Sequence, residues 1–584
     1  MEIKSKGQNY VEKYDKLLLS PGAIPFKPSL KGIDTEGIFT LRNVTDTDQI
    51  KEYVKSRKIN NAVIIGGGFI GLEMAENLYH LGASVSIVEM INQVMAPIDF
   101  SMATLVHQHL QQKGVKLYLE QTVESFGKNE NGIIVNFKNG ESIPADIVIL
   151  SIGVRPETTL AKDANLKIGE TGGIWVDEYL QTSDKNIYAI GDAIEFPHPI
   201  TNKPWLNYLA GPANRQGRIV ADNIVFGNQI KYEGSIGTSI AKVFDMTVAS
   251  TGLPAKRLKQ MDIPYESSIT HSNSHAGYYP NALPMSIKIT FDKNNGKLFG
   301  AQIVGYDGVD KRLDQIALVI KQKGTIYDLI QLEHAYAPPF SSAKDPIAIA
   351  GYVAENIILG RVNIIHWQDM QKANVKEMTI LDVRTVDEFS LGHIEGAINI
   401  PLDEMRERLN EIPTDKPIYI YCAIGLRGYL SYQILAQNGF KNIYNLSGGY
   451  KSYQAAMEPI KNNNTFTPKK EETDMEEKSA KVIFKTLKVD ACGLQCPGPI
   501  LKMKKSIEEI AEGEKIEMIS TDAGFSRDAE AWCNMTGNKL ISNTEESGLF
   551  KVIVEKVNKK EKPENCENTN ACADKGKTLI VFSD

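Results

Sequence analysis

With 584 residues the chain exceeds what one hydrophobic core supports, and its length predicts about three to five domains. Apolar residues at 42% and charged residues at 23% are the balance of a globular protein in water, and a net charge of −7 offers no basic field to nucleic acid or an acidic membrane. No apolar run approaches the length of a membrane span, and the opening MEIKSKGQNYVEKYDK has no signal-type apolar segment, so a cytoplasmic protein is expected. The six cysteines stand at 422, 492, 496, 533, 566 and 572. In a reducing compartment such cysteines are reactive or metal-binding more often than they are structural disulfides.

Tyr14 to Ala23, YDKLLLSPGA, reads as a strand ending in a glycine turn. Asn61 to Glu89, NAVIIGGGFIGLEMAENLYHLGASVSIVE, is more specific. A short apolar run opens it, Gly66-x-Gly68-x-x-Gly71 follows with Phe69 and Ile70 inside the loop, and a helix-period segment, Leu72 to Leu81, ends at Gly82. A second β-rich run, Ser84 to Val88, closes on Glu89, 18 residues after Gly71. That order is a dinucleotide-binding fingerprint in full context. The first glycine permits the turn, the second lets backbone amides approach a pyrophosphate, the third permits close packing, and the acid accepts from a ribose hydroxyl. Glu89 followed by Met90, with no arginine beside it, favours NADH, with NADPH the open alternative.

Asp146 to Gly153, DIVILSIG, repeats the strand-to-glycine pattern and leads into Val154-Arg155-Pro156. Asn186 to Ala193, NIYAIGDA, delivers Asp192 at the carboxyl end of a strand, where open α/β sheets bind ligands. Alone, Asp192 reads equally as a turn or capping residue. Together these pieces resemble the flavin-dependent pyridine nucleotide–disulfide oxidoreductases. The resemblance implies FAD, with Gly191, Asp192 and Gly153 in the binding site and the helix that contains Ala213 against the flavin. Members of that family carry two fingerprints, the first for FAD and the second for NAD(P)H, and a redox cysteine beside the first. Only the second occurs here, and the first cysteine is Cys422. The expectation is a chain that begins inside the FAD domain, short of roughly a hundred residues by the size of a mononucleotide-binding half.

Residues from Ser235 to about Gly360 carry β-rich stretches at Thr238–Ser250, Met285–Phe291 and Phe299–Gly305. HSNSHAGYYP, starting at His271, and HAYAPPFS, starting at His334, stand out among them. This region resembles the family's dimerisation domain, and the branch that reduces coenzyme A disulfide. In that branch tyrosines of one subunit reach the partner's active site, which implies a homodimer and a proton-transfer role for Tyr336 and for Tyr278 or Tyr279, of which Tyr279 is the one assigned. Aromatic packing beside proline-rich turns is the alternative.

Thr379 to Arg384, TILDVR, then GHIEGA at Gly392, then the strand Ile418–Tyr421 running into Cys422-Ala423-Ile424-Gly425-Leu426-Arg427 resemble the rhodanese family. A cysteine in a loop that feeds a helix N-terminus faces backbone amides, and those donors with Arg427 favour a thiolate and then a persulfide. Cys422 is thus expected to carry sulfane sulfur from a donor persulfide or thiosulfate.

Pro459 to Lys481 is polar and charged and reads as a flexible tether. Phe484 to Val557 reads as strand, helix, strand, helix, strand, headed by LKVDACGLQCPGPI, and resembles the TusA/SirA-like sulfur carriers. Pro497 suits a first helical position, which sets Cys496 at a helix N-terminus as a second persulfide carrier. Cys492 is a candidate disulfide partner for it, and Cys533 reads as core. The cysteine spacing does not match a zinc site, so no metal is assigned. Lys556 to Lys577, with Cys566 and Cys572, reads as a further linker, and KTLIVFSD as the opening strand of a DsrE-like module.

The expected organisation is a multidomain α/β chain. Residues 1–55 and 151–233 form parts of an FAD domain, 56–150 a Rossmann-type NAD(P)H domain, and 234–362 an α+β dimerisation domain. A rhodanese α/β domain (363–458), a linker (459–481), a TusA-like α/β sandwich (482–558) and a linker with the start of a further module (559–584) follow. The resemblances imply an NADH-dependent FAD protein that reduces coenzyme A disulfide, coenzyme A persulfide or polysulfide and passes sulfur to acceptor proteins. The alternative is a sulfurtransferase and persulfide carrier on a reductase-derived dimer scaffold, without reductase activity.

Overall fold

The computed structural model of the chain describes residues 2–5, 7–129, 132–460, 486–494, 498–522 and 524–557. Its architecture is the multidomain α/β arrangement expected. The apolar run Asn61–Ile65 is the middle strand of a five-stranded parallel sheet, in the order Ile38–Thr40, Ile147–Leu150, Asn61–Ile65, Ser84–Val88, Lys116–Tyr118. Ala62, Ile64 and Ile87 are fully buried in it, as a parallel sheet covered on both faces requires. The helix Phe69–His80 supplies Leu72, Ala75 and Leu78 to that core.

Segments on either side of this sheet in sequence pair with each other. Leu17–Leu19 lies parallel to Ile187–Ala189, and Ala23–Pro25 antiparallel to Val154–Pro156. The two aligned strands end at Leu19 and Ala189, and the helix Ala210–Phe226 packs against the Gly191–Ala193 turn that follows the second.

An antiparallel sheet follows, ordered Ser239–Val243, Met246–Gly252, Leu298–Gly305, Pro284–Phe291, Glu266–Asn273. The last of these is an edge strand that its polar sequence, ESSITHSN, did not announce. The rhodanese-like region is a five-stranded parallel sheet, Ile364–Ile365, Ile443–Leu446, Ile418–Tyr421, Thr379–Asp382, Ile398–Asn399. One apolar cluster runs without a break from Met285, Ile303 and Ile357 in the first of these units to Leu381, Ile420 and Leu435 in the second.

The C-terminal module has a separate core around Met503, Met518, Phe525, Trp532 and Phe550. Its sheet is ordered Thr486–Asp490, Lys515–Ser520, Leu549–Glu555, Lys539–Glu546. The single final strand expected is therefore a hairpin of two. Lys539–Glu546, KLISNTEE, is a mostly exposed edge strand, and polar edges of this kind carry little alternating apolar signal.

Candidate functional site

The glycine loop has the geometry that each position requires. Gly66 adopts φ +102°, and a Cβ there would overlap the carbonyl of Ser151. A Cβ on Gly71 would overlap the carbonyl of Gly66, so this glycine is what lets helix and strand close together. Gly68 precedes the helix Phe69–His80 and has nothing near its missing side chain. The helix N-terminus there opens onto free space, the arrangement that receives a pyrophosphate. Glu89 sits at the end of the next strand, and its carboxylate accepts from Gly67 N at 2.8 Å and Ile91 N at 3.2 Å. Those bonds hold the acid against the loop in reach of a ribose.

At the Gly191–Ala193 turn, Gly191 has φ +76° and donates to Gln216 Oε1 at 2.7 Å. A side chain on Gly191 would meet Ala213 and Ser20. Partial burial raises the carboxyl pKa of Asp192, and its charge in turn helps burial raise that of Tyr208. A carboxylate short of solvation, with no ion pair among the described residues, is suited to hydroxyl donors such as a ribityl chain. Gly153, at φ +103°, borders open space.

Tyr336 and Tyr278 project from separate loops, and their hydroxyls lie 3.3 Å apart on an exposed surface. Tyr279, assigned from the sequence, instead sets its ring edge-on to His275. The hydrogen bond between the two hydroxyls raises the pKa of Tyr336. Sequence reasoning missed what fixes these loops. Arg312 is buried, pairs with Asp345 Oδ2 at 3.0 Å, and donates to Ser274 O at 2.8 Å. Ser341 donates to the same carboxylate at 2.6 Å. One guanidinium thus anchors the chain before Tyr278 and after Tyr336.

Cys422 is 1% exposed at the end of Ile418–Tyr421. Gly425, in the left-handed region at φ +108°, turns its amide onto Cys422 Sγ at 3.1 Å and starts the helix Leu426–Gln437. The chain at 448–451 cradles the loop: Tyr450 N donates to Cys422 O at 2.8 Å and Lys451 N to Ala423 O at 3.0 Å. Gly449 is required there, since a Cβ would overlap both carbonyls. Arg427 is held by the buried Glu388 through two 2.7 Å bonds. Burial alone would raise the Glu388 pKa, but the hydrogen bonds and charge of Arg427 lower it. The field at the sulfur therefore owes more to the helix N-terminus and the Gly425 amide than to a bare guanidinium.

A cavity of about 310 Å³ lies over this loop. The rhodanese-like domain lines it with Cys422, Ile424, Leu426 and Arg427, the neighbouring edge strand with His271 and Asn273, and the C-terminal module with Gly493, Leu494 and Arg527. His271 bridges Ser286 Oγ at 2.8 Å and Ser452 Oγ at 3.0 Å, and burial holds its pKa down to about 3. It is a neutral strut between two domains.

Cys496, Cys566 and Cys572 lie outside the described residues. Cys492 is half-buried, and burial together with Asp490 pushes its thiol up to about 12. Cys533 is buried in the module core and pushed up to about 11. Among the described residues His109, Asp245 and Glu545 also converge. No helix among the described residues is long and apolar enough to cross a membrane.

Fold and site together define an oxidoreductase built on a dinucleotide-binding sheet, with a sulfurtransferase loop and a small carrier-like module in the same chain. The pattern of the pyridine nucleotide-disulphide oxidoreductases matches residues 2–211, and that of their dimerisation domain residues 238–346. A rhodanese-like domain matches residues 366–456 and sulfurtransferase TusA residues 487–556. The coenzyme A disulfide reductase of Staphylococcus haemolyticus is 33% identical over 354 residues, which is 61% of this chain and 78% of that protein. Reduced Bacillus anthracis CoADR-RHD is 50% identical with a TM-score of 0.75, over 77% of this chain and 80% of the other. A NAD-dependent persulfide reductase from A. fulgidus is 39% identical with a TM-score of 0.73, over 77% and 83%. The chain belongs to the pyridine nucleotide-disulphide oxidoreductase family, whose members use FAD and a pyridine nucleotide. The residues at the Gly66–Gly71 loop fit the pyridine nucleotide, and those around Asp192 and Gly191 fit the flavin and ribityl part of FAD.

Proposed function

We propose that the chain reduces coenzyme A disulfide, coenzyme A persulfide or polysulfide with NADH, as a homodimer, and moves sulfane sulfur through Cys422. The named activities of the staphylococcal and A. fulgidus relatives support the substrate class. The observation that carries the reading is the buried Cys422 loop on a domain that shares its apolar core with the dimerisation domain. Bound FAD would supply the redox step, taking electrons from the nicotinamide and delivering them to the sulfur–sulfur bond. The protein's own part is positional. Gly68 and the helix behind it receive the pyrophosphate, and Glu89 takes the ribose and disfavours a 2′-phosphate. Tyr336, hydrogen-bonded to Tyr278, donates to the departing thiolate. At the rhodanese-like loop the Gly425 amide steadies the Cys422 sulfur as thiolate and as persulfide.

A second reading is sulfur transfer without reductase activity, supported by the Cys422 loop, whose Gly425 amide contact and helix start lie wholly within the rhodanese-like domain. Anaerobic NADH oxidation by FAD-supplemented protein, with each of the three acceptors, separates the two. Consumption with any of them supports the reductase; none, in a folded protein, leaves only the second reading. Cys422→Ala should abolish thiosulfate-to-cyanide sulfur transfer and leave NADH oxidation with coenzyme A disulfide unchanged.

A further inference from the structure

The cavity over Cys422 is built by more than one domain. Its floor is the Cys422 loop, and one wall is the TusA-like module. That wall is Gly493 and Leu494 after strand Thr486–Asp490, Thr521 and Asp522 ahead of helix Phe525–Thr536, and Arg527 on it. Cys422 is 1% exposed beneath about 310 Å³ of space. That volume is near the lower limit, about 300 Å³, of pockets that enclose a drug-sized molecule. It has room for a small sulfur donor and none for a protein surface.

The wall is seated by contacts outside the cavity. Arg527 binds Glu458 Oε2 at 3.1 Å, and that carboxylate also accepts from Gln108 at 2.7 Å. The hairpin Lys539–Glu555 sets Glu545 in a buried group with His109, Lys113 and Asp245. Gly493, at φ +77°, lies so close to the dimerisation domain that a Cβ would overlap the carbonyl of Gly277. Gly548, at φ +75°, rests against Tyr306 and Leu283 in the same way. Among the described residues the module's four strands pair only with one another, around a core of their own. The module can therefore leave without breaking a sheet, and polar surfaces between domains are the ones that open. Its departure would bare Leu391, Ile424 and Leu426 beside Arg427 and Tyr450. Apolar side chains with arginine and tyrosine are the composition of a protein contact.

We propose that the docked module is a removable wall that sets which sulfur donors reach Cys422. While it is docked, small donors such as thiosulfate enter the cavity. A persulfide carried on another protein reaches Cys422 only when the module leaves, because the module occupies the face that protein must cover. The inference rests on the sulfurtransferase reading of Cys422.

The test compares two thiol reagents on the full chain, N-ethylmaleimide and the same maleimide on a large polyethylene glycol. Each reaction is followed without oxygen by loss of the unmodified Cys422 peptide in mass spectrometry. The small reagent should react readily and the large one far more slowly. Glu545→Lys turns a cation toward His109 and Lys113, and Glu458→Arg turns one toward Arg527. Neither position lines the cavity. Each variant should speed the large reagent about tenfold or more, as expected when a charged contact across an interface becomes repulsive. The small reagent's rate should not change. Equal rates for the two reagents in the unaltered chain overturn the inference, and so does a large-reagent rate that neither variant raises. A variant that speeds both reagents alike overturns it too, because the Cys422 loop has then opened and not the wall. Thiosulfate-to-cyanide transfer by the unaltered chain is the separate arm. Its absence removes the sulfurtransferase reading, while the reagent rates still decide whether the module walls the cavity.

Discussion

The rhodanese-like domain and the TusA-like module meet the same scaffold through unlike surfaces. The first shares a continuous apolar core with the dimerisation domain, reinforced by Ser447 accepting from Ile269 N at 3.0 Å and by the His271 strut. The second has a core of its own, against which Leu391 of the rhodanese-like domain packs, and it meets the scaffold through charged and polar groups and through close contacts at Gly493 and Gly548. Apolar burial is non-directional and is lost only when the domains come apart or unfold. Ion pairs between domains leave two surfaces that can each stand in water. The difference suggests a sulfurtransferase fixed to the reductase and a carrier that docks and departs.

Breaking the fixed side should give the largest effect. Arg312→Ala strands the fully buried Asp345 without its cation, at a cost of about 3–5 kcal/mol. Burial by itself disfavours the Asp345 carboxylate, and Arg312 with Ser341 is what lowers its pKa below the usual value. Calorimetry should show the dimerisation and rhodanese-like regions melting earlier, with the C-terminal module transition unmoved. A module transition shifted by the same amount would mean the two attachments are not different in kind. Next comes Ile357→Ala, in the shared cluster at the end of Pro346–Ile358, which should cost about 2–5 kcal/mol. Hydrogen exchange should then rise together in the sheets around Ile303 and Ile420. Loss confined to the dimerisation sheet would deny the single core.

What was legible in the sequence follows the same division. The Gly66–Gly71 loop and the Cys422 loop are local: a few neighbouring residues contain the turn, the helix start and the reactive group, so spacing alone carries their geometry. Arg312 sits on the helix Val309–Lys321 and Asp345 caps the helix Pro346–Ile358, and in sequence both read as ordinary surface charge. His109 carries a buried role hidden by its neighbour His107, whose Nε2 accepts from Val94 N at 3.1 Å and whose burial brings its pKa down to about 4. One histidine is a core acceptor and the next faces two carboxylates, and only the fold brings Asp245 and Glu545 to the second. The choice between Tyr278 and Tyr279 likewise depended on which loop Tyr336 reaches. The extra strand Lys539–Glu546 was hidden because an exposed edge has no apolar face to display.

The docking side should respond more weakly and without moving the scaffold. Glu545 is 3% exposed in its side chain, 3.3 Å from His109 Nδ1 and 3.7 Å from Lys113 Nζ. Glu545→Gln keeps the shape and removes the charge that faces His109 and Lys113, which should weaken the seating of the module. Exchange should quicken in the Phe100–Gln112 helix end and in the Lys539–Glu555 hairpin, with the scaffold melting point unchanged. Unchanged exchange at both places would show that the charged group does not hold the module.

The smallest effect is the most diagnostic, a dependence of docking on pH. His109 Nε2 lies 3.1 Å from Asp245 Oδ1, and the angles of both its carboxylate contacts fall short of directed hydrogen bonds. Burial works against its imidazolium, but the contacts and charges of Asp245 and Glu545 prevail and raise its pKa. Lys113 faces the same carboxylates, and Tyr306, pushed well up by burial and the nearby Glu545 and Asp245 charges, stays neutral. A raised histidine contributes fully below its ordinary pKa of about 6.5 and loses that contribution as pH rises through the raised value. Asp245 runs the other way: burial raises its pKa, the His109 and Lys113 contacts win and lower it, and its contribution fails only in strong acid. Docking should therefore hold from the carboxylate range up to the histidine's raised pKa and loosen on the alkaline side. Hydrogen exchange in the hairpin, corrected for intrinsic rate across that range, should show the loosening, and His109→Gln should flatten it. Identical profiles for the two proteins would mean that Lys113, and not the imidazolium, carries the positive charge that seats the module.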